Sequence, residues 1–115
     1  MKKVQNSKLN GMLWIELEGE RIIGPGRVEL LKHIQECGSI RQAAMQMGMS
    51  YRKAWDLIEH MNSKLDKPVV VSIRGGKGGG KASVTDKGLA IIDQFNTFYD
   101  LFRNFLNDNT KLIRL

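Results

Sequence analysis

Apolar residues recur with helical spacing in three blocks between residues 26 and 65, and glycines separate the blocks. In the first block Leu30, Leu31 and Ile34 form a stripe that predicts a helix over Gly26–Cys37. Gly24-Pro25-Gly26 precedes it. Proline is tolerated there because its missing N–H has no partner in the first helical turn. Gly38 is the expected stop. In the second block Ile40, Ala43, Ala44 and Met47 are spaced i, i+3, i+4, i+7, so a helix is predicted over Ile40–Met47, capped by Ser39 and ended by Gly48. In the third, Ala54, Trp55, Ile58, Met61 and Leu65 predict a helix over Tyr51–Leu65, capped by Ser50 and blocked by Pro68.

On either side the period changes to two. Leu13, Ile15 and Leu17 alternate with Trp14, Glu16 and Glu18, which predicts a strand within Lys8–Glu20, with a turn at Gly19-Glu20. Val69–Ile73 is a β-branched strand, and Ala82-Ser83-Val84 is its returning partner. The glycine run Gly75–Lys81 between them cannot be regular structure at reasonable entropic cost. Thr85 caps a last helix that reaches about Asn107, with Asp86 in its first turn, where the dipole favours an anion. Residues Asn109–Leu115 read as a frayed tail. The order is strand, three helices, strand, glycine loop, strand, long helix. This is a mainly α (α+β) chain, a winged helix-turn-helix forming a single domain over residues 1–115.

The helix-turn-helix lies in Ser39–Lys64 and the wing in Val69–Thr85. Two helices crossing steeply need a small residue at the contact and glycine at the turn; Ala44 and Gly48 are four residues apart, as that geometry asks. In this motif the second helix enters the major groove N-terminus first. Candidate DNA contacts are therefore Ser39, Arg41 and Gln42 at the start of one helix, and Ser50, Tyr51, Arg52, Lys53 and Asp56 at the start of the next. Arg52 suits a guanine edge and Lys53 a phosphate. Asp56 could accept from cytosine or orient Arg52 as an i, i+4 pair. On the wing, Arg74, Lys77 and Lys81 suit the phosphate backbone.

Charge sharpens this reading. The formal net charge is +6. Between Lys67 and Lys87 there are five cations and one carboxylate, whereas Thr85–Asp108 holds two cations and four carboxylates. A clustered positive charge points to a polyanionic partner. GGKGGGKA at Gly75–Ala82 falls one hydroxyl short of a phosphate-binding P-loop: Ala82 stands where a magnesium-ligating Ser or Thr is required, and no helix follows directly. Hydrophobic residues make up 42% of the chain, but no apolar run approaches the ~20 residues of a membrane span. A cytoplasmic location is expected. The single Cys37 forms no internal disulfide and reads as a small buried hydrophobe. His33 and His60 lack metal-ligand spacing. No catalytic residue, metal or cofactor is assigned.

The residues GPGRVELLKHIQECGSIRQAAMQMGMSYRKAWDLIEHMN, followed by GGKGGGKASVTDKG, resemble the N-terminal DNA-binding domain of ModE-type molybdate-responsive regulators. The carriers are Gly38-Ser39-Ile40, Ala43-Ala44, Ser50-Tyr51 with Ala54-Trp55, Met61-Asn62, and the glycine wing before Thr85 and Gly88. The resemblance covers roughly Met12 to Leu106. It implies a LysR-like winged helix, dimerisation, and control of genes for molybdate uptake or molybdenum enzymes. Full-length members of that family carry a C-terminal molybdate-binding module; this chain ends just after its fourth helix, and no molybdate site is assigned to it. The small-molecule effector, if any, is not legible. A winged-helix module for protein or RNA contacts is the alternative.

Five of the eight aromatic residues fall on the last helix. Its apolar stripe is too wide for a small domain to cover, and large exposed apolar patches mark interfaces. A two-fold homodimer is expected through Phe95, Phe98, Tyr99, Phe102, Phe105 and Leu106, assisted by the N-terminal strand, spacing two recognition helices about one DNA turn apart or a multiple of it.

Overall fold

The computed structural model describes residues 6–73 and 81–115. Two strands open the chain, β1 (Ile15–Leu17) and β2 (Glu20–Ile23). They pair as an antiparallel hairpin. Its turn is Glu18-Gly19, both at positive φ (52° and 80°), the backbone twist that two-residue hairpins favour. The turn therefore comes one residue before the expected Gly19-Glu20, and β2 is an additional strand. Ile22 and Ile23 are both buried in the core, so β2 does not show the alternation that betrays a half-exposed strand. In β1 the expected inward set holds only in part: Leu13 and Ile15 are half-buried and Leu17 is exposed, because the register shifts between Ile15 and Glu16.

Helix α1 (Pro25–Cys37) starts on its proline and ends where Gly38 takes a left-handed φ of 67° and donates its N–H to the Ile34 carbonyl. Val28, Leu30, Leu31 and Ile34 are buried. Helix α2 (Ile40–Gln46) is capped by Ser39 Oγ, which accepts the Gln42 N–H. Gly48, at φ 67°, makes the turn into α3 (Tyr51–Lys64). Ser50 Oγ caps that helix by accepting the Lys53 N–H. Ala43, Ala44 and Ala54 are fully buried, and their small side chains let α2 and α3 approach closely.

Strands β3 (Val70–Ser72) and β4 (Ala82–Val84) pair antiparallel with Val70 opposite Val84. Asn62 fastens α3 to β3: its Oδ1 accepts the Val69 N–H at 2.7 Å and its Nδ2 donates to the Val70 carbonyl at 3.1 Å. Helix α4 (Asp86–Thr110) begins at Thr85, whose hydroxyl donates to the Pro68 carbonyl at 2.6 Å and accepts the Gly88 N–H at 3.1 Å. Gly88 permits this seat, since a Cβ there would lie 2.4 Å from the Val69 oxygen and 2.6 Å from Val84 Cγ1.

Helix α4 runs past Asn107 into the expected tail. Thr110 Oγ1 accepts the Leu9 N–H at 3.1 Å, and Gly11 lies against the Phe102 ring. The N-terminal segment thus runs along the distal half of α4 and gives it partners that periodicity alone does not reveal. The molecule measures 68 × 29 × 21 Å with a radius of gyration of 18.0 Å. About 13 Å is usual for a compact domain of about 100 residues. The excess length belongs to distal α4, since only Ile91, Ile92 and Phe95 among its large side chains are buried in the core.

Candidate nucleic-acid interface

The two serine caps set the geometry of the site. Each satisfies an N–H that would otherwise lack a partner in the first helical turn, and each fixes the direction in which the next residues leave the backbone. Arg41 and Gln42 are exposed at the start of α2; Ser50, Arg52 and Lys53 are exposed at the start of α3. Ser39 is half-buried and pairs with Lys81 as an isolated antiparallel bridge, and the Ala82 N–H donates to the Gly38 carbonyl at 3.0 Å. The foot of β4 is thereby tied to the α1–α2 junction, so exposed Lys81 stands beside the start of α2. Arg41 in turn reaches α3, with its guanidinium carbon 4.3 Å from the centroid of the Tyr51 ring. Lys81, Ser39, Arg41, Tyr51 and Arg52 therefore form a contiguous set drawn from three elements.

Within that set the side chains are not equally free. Arg52 Nε lies 3.4 Å from Asp56 Oδ1, one turn along α3, with the two side chains 88% and 64% exposed. The Asp56 carboxylate orients Arg52, and screening by water keeps the pair weak. Tyr51 departs from the outward position given it by helical phase. It is half-buried against the core, and its hydroxyl oxygen accepts the Trp55 indole N–H at 2.7 Å. Arg74 and Lys77, the other two wing candidates, lie outside the described residues. Helix α4 begins only at Asp86, after Ser83 and Val84 in β4, so the helix that a P-loop requires after Lys81 is absent.

The apolar face of α4 divides in two. Phe95, expected at a dimer interface, is 3% exposed within the single chain and belongs to its core. Tyr99 stacks on it with ring centroids 5.9 Å apart, and Tyr99, Phe102 and Leu106 are half-buried. Phe98 and Phe105 remain exposed, together with Leu101, and Leu112 follows just beyond the helix. Their spacing of three, four and seven residues is the seam spacing of paired helices. Leu101 belongs to the apolar set of the last helix legible in sequence but not to the expected interface, and Leu112 lies beyond the helix, where helical spacing does not reach.

A polar network joins the opening hairpin to the distal part of α3. His60 bonds Arg27 Nη1 at 2.8 Å through Nδ1 and Glu20 Oε1 at 2.5 Å through Nε2; Lys64 lies 3.5 Å from the same carboxylate. Arg27 can only donate, so Nδ1 accepts and Nε2 carries the proton. The His60 hydrogen bond, with help from Lys64, holds the Glu20 carboxyl below its ordinary range. Asp66 is lowered likewise by its hydrogen bond to Lys87. Cys37 is half-buried, with Sγ donating to the Ser39 carbonyl at 3.3 Å. Among the described residues no group of three His, Cys, Asp or Glu side chains could hold a metal ion, and no helix is long and apolar enough to cross a membrane.

No protein-family model matches the chain. It is similar to the transcriptional regulator ModE of Haemophilus influenzae, with 46% identity over 74 residues, 64% of this chain and 29% of that protein. Similarity to the DNA-binding transcriptional dual regulator ModE of Escherichia coli K12 is 40% over 85 residues, 74% of this chain and 32% of that protein. The molybdenum-pterin-binding protein MopA of Rhodobacter capsulatus is 37% identical over 83 residues, 72% of this chain and 31% of its own length. The chain thus spans about three-tenths of the length of these relatives. The crystal structure of ArgP from Mycobacterium tuberculosis superposes with a TM-score of 0.53 at 17% identity, over 73% of this chain and 30% of that one. This likeness is one of fold, and it agrees with a winged helix.

Proposed function

We propose that this chain, which carries a ModE-type N-terminal domain, is a non-enzymatic transcriptional regulator that binds double-stranded DNA as a homodimer. The observation that carries the reading is the contiguous set Lys81–Ser39–Arg41–Tyr51–Arg52, in which Lys81, Arg41 and Arg52 are exposed, gathered where the starts of α2 and α3 meet the foot of β4. Relatives named as DNA-binding transcriptional regulators support it.

Helix α3 enters the major groove by its N-terminus. Arg52, oriented by Asp56, bonds a base edge, and Lys53 meets a phosphate, with Ser50 beside them. Ser39, Arg41 and Gln42 lie where the preceding helix crosses the backbone, and Arg74, Lys77 and Lys81 carry positive charge along the flanking phosphates. Two copies joined through α4 read a palindromic operator. The genes controlled serve molybdate transport or molybdenum metabolism, as the names of relatives suggest. The protein acts in the cytoplasm, and no molybdate or other cofactor is assigned to residues of this chain.

Titration of labelled duplexes from upstream of molybdate-transport genes, at two salt concentrations, tests the proposal. Nanomolar binding to one duplex with steep salt dependence is expected. Arg52→Ala should lower the preference for that duplex over random DNA by roughly 5- to 150-fold, the range for one lost bidentate base contact. Equal affinity for random DNA would contradict sequence-specific reading, and no binding at low salt would favour a module for protein contacts.

A further inference from the structure

Arg41 lies over the Tyr51 ring and Tyr51 is hydrogen-bonded to Trp55, an arrangement that neither a free recognition arginine nor an ordinary core tyrosine requires. Trp55 packs against the core and donates its indole N–H to the Tyr51 hydroxyl at 2.7 Å. Tyr51 is half-buried, so its ring is pinned at one end by that bond and along its body by packing. The Arg41 guanidinium lies over this ring at 4.3 Å, and Arg41 makes no salt bridge among the described residues. Its neighbour Arg52 is instead shared with Asp56.

The chemistry of this arrangement is specific. An exposed arginine samples many rotamers, and ordering it on binding costs free energy that weakens the complex. Stacking on an aromatic face confines the guanidinium beforehand, yet leaves its N–H edges open. Those edges match the paired oxygens of a phosphate in a bidentate fork. The first helix of a helix-turn-helix crosses the nucleic-acid backbone rather than the base edges, and Arg41 sits on that helix. The Trp55 N–H bonds one lone pair of the Tyr51 oxygen and so fixes the ring, and it is the face of that ring that meets Arg41.

From this geometry we infer that Tyr51 is a positioning residue, which with Trp55 holds Arg41 ready for a backbone phosphate of duplex DNA. The inference rests on the DNA-binding reading of the same surface and assigns Tyr51 a role through Arg41 instead of a contact of its own. Arg41 supplies the charge, and Tyr51 and Trp55 supply its order.

A double-mutant cycle on the full chain tests this. Binding to a mixed-sequence DNA duplex is followed by fluorescence anisotropy across a salt series, and thermal unfolding of each variant is measured alongside. Phosphate contacts are independent of sequence, so no operator is needed. Arg41→Ala should make the salt slope shallower by about one. Tyr51→Leu should weaken binding roughly two- to fivefold, the worth of an exposed cation–π contact, with the slope unchanged. In the Arg41→Ala background that loss should vanish. If Tyr51→Leu does not fold, the same cycle is run with Tyr51→Phe and Trp55→Phe, whose smaller losses should also vanish without Arg41. A loss that persists in the Arg41→Ala background overturns the role, since it would put Tyr51 itself on the DNA or in the scaffold alone. Failure of the unaltered chain to bind the duplex at low salt refutes the DNA-binding reading. Intact binding with uncoupled variants refutes only the positioning of Arg41.

Discussion

Gly88 shows how one missing side chain can seat a helix. Its Cα faces the Val69 carbonyl so closely that a Cβ would lie 2.4 Å from the oxygen, and Val84 Cγ1 closes the other side. Neither neighbour is the loose end of a long side chain. Gly88→Ala should therefore overpack this junction and destabilise the fold by ~1–3 kcal/mol. For a domain near this size, each kcal/mol corresponds to roughly 4–8 °C in the unfolding midpoint. A midpoint unchanged within about 1 °C would contradict the close approach. The three helix caps were legible in sequence because Ser39, Ser50 and Thr85 each stand at the boundary of an apolar repeat, where a hydroxyl can accept a first-turn N–H. Tyr51 was not. Its phase points outward, and only the contact with Trp55 one turn on draws it against the core. Asn62 stands in the sequence only as part of the Met61-Asn62 family resemblance, and its physical role is the pair of bonds to Val69 and Val70.

At the scale of elements, the three-helix core and the β3–β4 pairing follow from spacing and punctuation that the chain carries openly. Strand β2 was hidden because Ile22 and Ile23 are consecutive and both buried. The distal turns of α4 were hidden for a different reason. Their partner is the segment around Leu9 and Gly11, far away in sequence, and no local pattern reports a contact of that range. The same contact sorts the apolar residues of α4. Phe95 goes to the core, Phe102 goes to the N-terminal segment, and Phe98, Leu101 and Phe105 stay exposed. If that outer stripe joins two copies, Leu101→Glu and Phe105→Glu should each convert the dimer to a monomer at tens of micromolar in sedimentation. Their helical circular dichroism and unfolding of the isolated chain should be little changed, because neither side chain is in the core. A parent chain that already sediments as a monomer would contradict the expected interface.

Taken whole, the molecule is a winged-helix head with an extended helix leaving it, 68 Å along its longest axis. The basic set around Arg41 and Arg52 is built on α2, α3 and the foot of β4, whereas the exposed apolar stripe is on α4. One surface can therefore meet a polyanion while the other meets a second copy, with no residue serving both. A net charge of +6 favours the first association at low salt. Whether two such heads read one DNA site is decided by selecting bound duplexes from a randomised pool and sequencing them. Enrichment of a single inverted repeat is expected, with half-sites separated by about one helical turn (~10–10.5 base pairs) or a multiple of it. Enrichment of no sequence, or of a lone half-site without its mirror image, would contradict it.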